Sequence, residues 1–414
     1  LKFIAVPLVM FSIISGVASL KDISSLGKIG LKTLALYLST TLLSVSLGLI
    51  LVNILKPGNF IDSEQRLQNR IAYENWVKQT KGVEIIDNQS FSKQDATVKP
   101  ATDTTPIDEN LKEKIAVANQ NKNQSPLHFL VDMIPENIVL SLSNNKLMLQ
   151  VIFFSIFFGI ALALSEFDEK ITVINFITGV NEVFLKMVDI IMKAAPFFVF
   201  CLLAGVISKM ADTPEKIIEI FKGLGVYSLT VVLGISMLVF VVYPLLLKIF
   251  VKRISYTDFF RKISPAQFLA FSTSSSAATL PVTIECVEEN LKVPNKIAGF
   301  VLPIGATVNM DGTSLYQAVA VVFLAQMHMI DLTLGQQLTI VFTATLASIG
   351  SAAVPSAGLV MLIIVLQAVG LNPAWIAIIF PVDRILDMCR TVANVTGDAT
   401  VSTIIAASEN AWEE

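Results

Sequence analysis

The chain has 414 residues, of which 54% are hydrophobic and only 15% are charged, and its formal net charge is −3. Because soluble domains carry about 25% charged residues, this composition argues against a water-soluble protein and indicates a membrane protein. The small negative charge excludes a strongly basic nucleic-acid-binding surface. The three cysteines have no pairing pattern and there are only two histidines, so neither a disulfide framework nor a histidine-based metal cluster is indicated.

Apolar runs of the length that crosses a bilayer, about 20 residues, recur along the chain. They lie at 1–20, 31–55, 147–164, 176–207, 218–250, 297–327 and 375–407. Two further segments, 256–292 and 333–369, are apolar but interrupted by Ser, Gly and Pro, so neither predicts one continuous span. The chain opens inside an apolar run that lacks the basic region and cleavage site of a secretory signal. We therefore expect a preceding helix to be absent from this sequence.

Residues 59–126 are rich in Asn, Gln, Lys, Asp and Thr and poor in large apolar side chains. Such a segment buries too little apolar surface to offset its ordering entropy, so a long, partly disordered polar loop is predicted. Lysines and arginines in short connections favour the cytoplasm, which puts this loop outside the cell in a multi-pass plasma (cell inner) membrane protein. The basic residues placed in the cytoplasm are Lys21, Lys28, Lys32, Lys248, Lys252, Arg253, Arg261, Lys262, Lys292 and Lys296.

An internal repeat is present in the C-terminal third. The serine-rich sequences at 274–281 and 348–355 both end in proline, and each is followed by an apolar segment with an Asn-x-x-Gly motif, at 309–312 and 394–397. A hairpin followed by a broken helix, occurring twice, is typical of transporters whose site lies where the unwound parts meet.

Irregular backbone cannot face hydrocarbon, so these breaks must line a polar cavity or be buried in protein. Free carbonyls and carboxylates in such a cavity suit a hard monovalent cation. Asp311 and Asp398 are the candidate anionic ligands, with Asn309, Asn394 and Thr313 in support.

The last apolar segment carries a polar stripe at helical spacing. Its members are Asp383, Arg384, Asp387, Arg390, Thr391, Asn394 and Asp398. Each intramembrane charge costs at least about 2.5–3.5 kcal/mol, so the stripe needs a function. One interpretation is a set of internal salt bridges between helices. The other is ligand recognition, in which Arg390 binds a carboxylate through both nitrogens and Asp387 binds an ammonium group. That pair would suit a zwitterion with an extra carboxylate.

Several motifs in the same order resemble those of the glutamate/aspartate transporters, the dicarboxylate/amino acid:cation symporters. The matching strings are Leu-Lys-Phe-Ile-Ala-Val-Pro-Leu at 1–8, the serine-rich tip ending Ala-Thr-Leu-Pro at 281, Asn-Met-Asp-Gly-Thr at 309–313, Ala-Ser-Ile-Gly-Ser-Ala-Ala-Val-Pro at 347–355 and Asp-Met-Cys-Arg-Thr-Val-Ala-Asn-Val-Thr-Gly-Asp at 387–398. The resemblance covers nearly everything except 59–126.

The resemblance implies an all-α polytopic membrane protein with two re-entrant helical hairpins and inverted repeats, working as an elevator-type carrier. It implies a homotrimer in membrane lipid, a small acidic amino acid as substrate and sodium ions as co-transported cations. Segments 1–30 and 127–208 would form the trimerisation scaffold. Segments 31–58 and 209–255 would be transport-domain helices, and 256–414 the transport core, in which the second hairpin acts as the gate.

The resemblance also implies individual site residues. The substrate would be held by Ser276, Thr313, Val354, Gly358, Asp387, Arg390, Thr391 and Asn394. One sodium ion would be bound by Tyr37, Thr40, Thr41, Asn309 and Asp311, and a second by Gly305, Asn309, Asn394 and Asp398. A third would be bound by backbone around Thr307, Met310, Ser348, Ile349 and Ser351.

The chain departs from the family pattern at a few positions. Archaeal relatives have an arginine where Ser274 stands, and animal relatives have one where Met388 stands. Arg384 lies one helical turn before Met388, and we hypothesise that it replaces the missing charge. Animal members also have a glutamate where Gln317 stands. Because Gln317 cannot titrate, we predict no proton or potassium coupling through this position.

Three alternatives compete with a symporter of aspartate or glutamate. A sodium- or proton-coupled C4-dicarboxylate symporter is disfavoured because Asp387 would repel a substrate that has no amino group. A ligand-gated ion or anion channel would need a continuous pore rather than two occluding hairpins. An enzyme is not expected, because the sequence carries no nucleophile–base pair and no His-Glu-x-x-His motif.

Overall fold

The computed structural model describes residues 23–79, 134–143, 147–167, 169–192, 214–251, 254–349 and 357–409, with a few positions elsewhere. These residues form helices and turns, and no β-strand occurs among them. The helices are α1 Ile23–Leu55, α2 Ser63–Gln79, α3 Ile138–Ser143, α4 Met148–Leu164, α5 Lys170–Met192, α6 Pro214–Met237, α7 Tyr243–Phe250, α8 Tyr256–Thr273, α9 Ser276–Glu285, α10 Asn295–Val308, α11 Asp311–Met327, α12 Leu334–Ile349, α13 Ala357–Ala368 and α14 Ile376–Ser408. The predicted all-helical fold is confirmed for this part of the chain.

Two of these helical stretches are long and apolar enough to cross a membrane, Gly27–Phe60 and Gly223–Phe250, and Phe153–Leu164 is a shorter apolar helix. The boundary predicted at residue 30 falls inside α1, which begins at Ile23 and continues without interruption. Lys28 and Lys32 therefore lie within the first turns of this helix and not in a connection. The sequence pattern could not locate the start of α1. A lysine near a helix end can extend its charged group into water just as a lysine in a loop does, so the positions of Lys28 and Lys32 do not mark a connection.

The beginning of segment 59–126 differs from the predicted polar loop, because it contains the docked helix α2. Arg66 donates to the carbonyl oxygen of Gln326 at 2.9 Å, and the Asn69 amide donates to that of Met327 at 3.4 Å. Tyr73 packs edge-on against Trp375, with ring centroids 5.6 Å apart. The segment thus forms a cap over the end of α11 and the start of α14.

A fully buried arginine holds this cap. Arg70 donates through two nitrogens to Asp87, at 2.7 and 2.8 Å, and through Nε to Glu74 at 3.2 Å. It also donates to the carbonyl oxygen of Met329 at 3.2 Å, which ties the cap to the end of α11. Burial lowers the pKa of Arg70, but the hydrogen bonds to and charges of Asp87 and Glu74 outweigh burial and raise the pKa above its ordinary value. Composition did not predict this helix, because two of its buried side chains, Arg70 and Glu74, are charged.

Replacing Arg70 by Ala is expected to undock α2. Removing one partner of a buried ion pair costs about 3–5 kcal/mol, so amide hydrogen exchange in Ser63–Gln79 should accelerate about 100- to 1,000-fold in the variant. Glu64→Ala, on the exposed side of the same helix, is the matched control and should exchange like the parent. Equal protection in Arg70→Ala and the parent would contradict this account of the cap.

Helices α8 and α9, with the π-helical turn Cys286–Asn290, form a helical hairpin (hairpin 1). Its tip is the pair Ser274–Ser275, where Ser274 adopts a left-handed φ of 50° and the Ser275 hydroxyl caps α9 by accepting from the amide of Ala278. At the opposite end Asn290 donates to the carbonyl oxygen of Lys262 at 3.0 Å. The serine-rich sequence therefore forms the tight turn that its small, capping side chains favour.

Helices α12 and α13 also pack against each other, and we call this pair hairpin 2. Its connection, residues 350–356, lies outside the described residues, so the predictions for Ser351 and Val354 fall there. Ser348 and Ile349 end α12, and their side chains are likewise outside the description.

The two Asn-x-x-Gly motifs have different structures. The first is a break, since α10 ends at Val308 and α11 begins at Asp311, with Asn309 extended at φ −85° and ψ 99°. The second lies within the continuous helix α14, so the predicted second break is wrong. Gly397 instead permits a close approach, because a Cβ there would lie 2.7 Å from Tyr243 Oη and 2.8 Å from Asn309 Nδ2.

Candidate ligand-binding site

The carboxylate of Asp311 lies where three helices meet. Asp311 is the first residue of α11 and is fully buried. Its two oxygens accept from Thr41 Oγ1 of α1 at 2.7 Å and from Tyr243 Oη of α7 at 2.9 Å. The neighbouring Thr40 donates to the carbonyl oxygen of Tyr37, at 3.0 Å. Residues of α1 that are more than 250 positions away in sequence are thus brought to the break before α11, as the resemblance implied.

A second buried carboxylate lies on the other side of the same break. Asp398 Oδ1 accepts from Asn309 Nδ2 at 2.8 Å, and Asn309 Nδ2 also reaches the carbonyl oxygen of Asn394 at 3.1 Å. A Cβ at Gly305 would clash with Tyr37 Oη and with Asp398 Oδ1. The four residues predicted for one cation, Gly305, Asn309, Asn394 and Asp398, are therefore adjacent.

The chemistry of this region fits a monovalent cation. Within the part of the chain that the structure describes, Asp311 and Asp398 are bonded only by neutral hydroxyl and amide groups. The N-terminus of α11 supplies about half a positive charge, which is too little for two carboxylates. The buried Asn309 Oδ1 has no hydrogen-bond partner among the described residues. Hard cations bind carboxylate, carbonyl and hydroxyl oxygens, and burying charge without compensation is costly.

The third predicted cation set is only partly described. Thr307 Oγ1 donates to the carbonyl oxygen of Ile304 at 3.0 Å, and the sulfur of Met310 accepts from Asn394 Nδ2 at 3.4 Å. Helix α12 contacts α10, so its C-terminal residues Ser348 and Ile349 belong to a neighbouring helix. Because Ser351 and the side chains of Ser348 and Ile349 lie outside the described residues, this set stays a prediction.

The guanidinium of Arg390 occupies the centre of the polar stripe on α14. It is fully buried, and its Nη2 donates to Asp387 Oδ1 at 2.6 Å and to Asp383 Oδ1 at 3.1 Å. The Tyr316 ring lies 3.9 Å from its Cζ, and Tyr316 Oη donates to Asp383 Oδ1 at 3.0 Å. These ion pairs lie within α14, whereas the first interpretation expects salt bridges between helices.

Those ion pairs use only one of the three guanidinium nitrogens. The buried Arg390 Nε and Nη1 have no hydrogen-bond partner among the described residues. Gly358 of hairpin 2 lies beside them, since a Cβ there would be 3.2 Å from Arg390 Nη1 and 2.9 Å from Thr313 Cγ2. A buried donor left unsatisfied costs about 1–3 kcal/mol, and a carboxylate placed at Nε and Nη1 would satisfy both donors.

The other predicted substrate residues surround the same point. Asn394 Oδ1 accepts from the amide of Gly312 at 2.8 Å, and its Nδ2 lies 3.5 Å from Thr313 Oγ1. Thr391 Oγ1 donates to the carbonyl oxygen of Asp387, one turn earlier. Ser276 is buried as the first residue of α9, at the tip of hairpin 1.

Two tyrosines contact the site although no role was predicted for them. Tyr243 bonds Asp311, and Tyr316 covers Arg390 while bonding Asp383. Asp383, a member of the polar stripe, therefore bonds both Arg390 and Tyr316. The available signal was a tyrosine inside an apolar segment, because a phenol buried there requires a hydrogen-bond partner.

Arg384, the hypothesised replacement for the missing arginine, and Gln317, which stands where animal members have a glutamate, both lie close to the site. Arg384 Nη1 is 3.8 Å from Asp387 Oδ2, with 28% of the Arg384 side chain exposed. Gln317 is buried, and its Nε2 donates to the carbonyl oxygen of Gly358 at 3.3 Å. Arg384 thus reaches the carboxylate of the predicted ammonium-binding residue from the partly exposed side.

Two buried carboxylates at a helix break, and an arginine fork beside a carboxylate, are the features of a helical ion-coupled membrane carrier. The family described as the sodium:dicarboxylate symporter family matches residues 1–408. The chain belongs to this family and is a membrane protein, and the family's description implies sodium co-transport. The family resemblance predicted from the motifs is confirmed.

Relatives are similar along almost the whole chain. Excitatory amino acid transporter 3 of Homo sapiens is 38% identical over 421 residues, which cover 96% of this chain and 75% of the relative. Excitatory amino acid transporter 5 of Homo sapiens is 38% identical over 423 residues, covering 98% and 74%. Excitatory amino acid transporter 1 of Ambystoma tigrinum is 34% identical over 423 residues, again covering 98% and 74%.

Proposed function

We propose that this chain is a sodium-coupled secondary active symporter of an acidic amino acid, aspartate or glutamate. The observation that carries the proposal is the buried guanidinium of Arg390, whose Nε and Nη1 have no partner in the described part of the chain, beside the carboxylate of Asp387. The family's description and the names of the relatives, which are excitatory amino acid transporters, support the same function.

In this proposal the side-chain carboxylate of the substrate binds Arg390 Nε and Nη1, and its amino group binds Asp387. The ammonium would take over part of the pairing that Asp387 now has with Arg390. Charge-assisted hydrogen bonds contribute about 1.5–3 kcal/mol each, so a substrate with both groups gains from both residues. The other contacts would come from Ser276, Thr313, Val354, Gly358, Thr391 and Asn394.

Sodium ions would compensate the two buried carboxylates. One would bind Asp311 with Tyr37, Thr40, Thr41 and Asn309. A second would bind Asp398 with Gly305, Asn309 and Asn394. The third set rests on the family resemblance alone. Its residues are Thr307, Met310, Ser348, Ile349 and Ser351. Asn309 donates both to the carboxylate of Asp398 and to the carbonyl oxygen of Asn394, a proposed substrate residue. Because one side chain contacts both sites, binding of ion and substrate would be coupled.

The mechanism and assembly are proposed on the same resemblance. Hairpins 1 and 2 would be re-entrant, and hairpin 2 would gate the site. A scaffold of 1–30 and 127–208 would form a homotrimer in a multi-pass plasma or inner membrane protein. The transport domain of 31–58, 209–255 and 256–414 would move as an elevator.

A C4-dicarboxylate is the nearest competing substrate. It would present a second carboxylate where Asp387 lies, and like charges at this distance repel in a buried site. Arg390, which pairs with Asp387 at 2.6 Å, cannot neutralise both Asp387 and two substrate carboxylates. An acidic amino acid is therefore favoured.

Uptake into proteoliposomes tests the proposed function. Radiolabelled aspartate, glutamate, succinate and serine would be supplied with and without an inward sodium gradient. We expect aspartate or glutamate to accumulate only with the gradient, and succinate and serine to stay near the level of empty vesicles. Accumulation that ignores sodium, or succinate uptake equal to that of both amino acids, would refute the proposal.

Arg384→Ala is expected to weaken aspartate uptake and to change its sodium dependence. Arg384 is partly exposed and 3.8 Å from Asp387, and partly exposed ion pairs contribute up to about 1 kcal/mol, so the KM should rise about three- to fivefold. Arg261→Ala, which removes an exposed arginine paired with Asp258, is the control. An uptake rate and sodium dependence equal to those of the parent would show that Arg384 does not replace the family's second arginine.

A further inference from the structure

An apolar groove runs between α6–α7 and hairpin 1, outside the ligand-binding site. It consists of two adjoining cavities of about 470 and 610 Å³, which share Phe240, Tyr256 and Phe260. Leu245 lines the first cavity and Phe268 the second. Large parts of its wall are uncovered, since Phe240 is 52% exposed and Phe268 is 74% exposed.

An irregular turn in the spanning helix shapes this groove. The segment Leu238–Val242 is π-helical and is followed by Pro244 in the first turn of α7. Proline lacks the N–H that the regular helix would use, and π-turns of this kind occur often at functional sites. On its inner face this turn directs Tyr243 to Asp311, and on its outer face it presents Phe240 and Val241 to the groove.

The environment of the groove is the bilayer. It lies along Gly223–Phe250, one of the two described helices that are long and apolar enough to cross a membrane, in a chain that belongs to a membrane transporter family. Exposed contiguous aromatic surface requires a partner, and the hydrocarbon chain of a lipid is the apolar partner that surrounds such a helix.

One basic side chain, that of Lys248, lines the groove. Lys248 lines the first cavity from the last turn of α7, is exposed, and makes no ion pair with any described residue. The acidic residue nearest in the lining helix, Asp258, is bonded to Arg261 and to Ser255. In sequence Lys248 is followed by Lys252 and Arg253, and such juxtamembrane basic clusters attract anionic lipids.

We propose that this groove is a binding site for an anionic phospholipid. One acyl chain lies over Phe240, Phe260 and Phe268, and the phosphate pairs with Lys248. The lining continues to Val392 of α14, next to Thr391, and includes Gln267, which donates to Thr396 Oγ1 at 2.9 Å. The bound lipid therefore packs on hairpin 1 and α14, which both carry residues of the ligand-binding site, and it stabilises the contact between them.

Lipid retention measured by native mass spectrometry tests this site without relying on transport. The purified protein is mixed with dioleoylphosphatidylglycerol or with dioleoylphosphatidylcholine. We expect the parent to retain phosphatidylglycerol in preference to phosphatidylcholine, and Lys248→Gln to retain about fivefold less phosphatidylglycerol. Lys296→Gln, an exposed lysine outside the groove, should retain as much as the parent, and Phe268→Ala should retain less of both lipids.

Several results would overturn the proposal. These are equal retention of the two lipids by the parent, and equal losses in Lys248→Gln and Lys296→Gln. Retention of glycerol phosphate as strong as that of the lipid would indicate an anion site without a role for the groove, and would also overturn it. Because binding is measured directly, failure here leaves the proposed symport untouched, and failed uptake leaves the lipid result standing.

Discussion

Arg390→Cys is expected to lower the uptake of aspartate and glutamate at least about 100-fold. The change removes the only buried cation among the described residues of the polar stripe, and with it the guanidinium that pairs with both Asp383 and Asp387. Breaking a buried ion pair in this way costs about 3–5 kcal/mol. A substrate carboxylate would then enter a site of the same charge, so the loss should be larger for acidic than for neutral amino acids.

The measurement is uptake and equilibrium binding of aspartate and serine by the same preparation. We expect serine binding to appear in Arg390→Cys while aspartate binding disappears, because Asp387 still binds an amino group. Arg390→Lys should recover little aspartate uptake, since an ammonium cannot form the planar fork or stack on Tyr316 in the same way. Arg261→Cys serves as the control for introducing a cysteine. Aspartate binding that persists in Arg390→Cys, with no serine binding, would contradict the assignment.

Asp311→Asn and Asp398→Asn are each expected to remove most sodium-driven uptake. Each change deletes one of the two buried carboxylates that have only neutral partners in the described region. An amide keeps nearly the same shape and can satisfy Thr41, Tyr243 or Asn309 in part, so the fold should survive. The cation loses its anionic ligand, and the sodium concentration for half-maximal uptake should rise at least about tenfold.

Sodium titration of uptake checks this expectation, with Asp331→Asn in an exposed connection as the matched control. Thermal melting of each variant without sodium separates folding from ion binding. We expect the sodium-induced rise in melting temperature to shrink in Asp311→Asn and Asp398→Asn and to stay unchanged in Asp331→Asn. If both site variants keep the parent's sodium titration, these carboxylates do not bind the transported cation.

The sequence predicted the features that depend on local pattern. The break at Asn309–Met310 follows from an Asn-x-x-Gly motif in an apolar segment, and the polar stripe of α14 follows from helical spacing. The same motif failed at Asn394–Gly397, because there glycine serves the close approach of Tyr243 and Asn309. Local pattern cannot distinguish a break from a close approach, since the second depends on what packs against the helix.

The features that were missed depend on tertiary contacts. Helix α2 has a polar composition, and its burial depends on the contacts of Arg70 with Asp87 and Glu74 and on the packing of Tyr73 against Trp375. Likewise Arg390 and Asp387 pair with each other, whereas the sequence predicts that Arg390 binds a substrate carboxylate and Asp387 an ammonium group. Charge at helical spacing predicts that such residues share a face, and it leaves their partners undetermined.

The most direct test is the affinity for L-aspartate as a function of sodium concentration, measured by calorimetry on the purified protein with choline as the replacing cation. If two sodium ions bind together with the substrate, log Kd should fall with the logarithm of the sodium concentration with a slope of about two or more. We also expect no binding in choline alone and no competition by succinate. The same Kd in sodium and in choline, or displacement by succinate at the concentration at which glutamate displaces, would contradict the account.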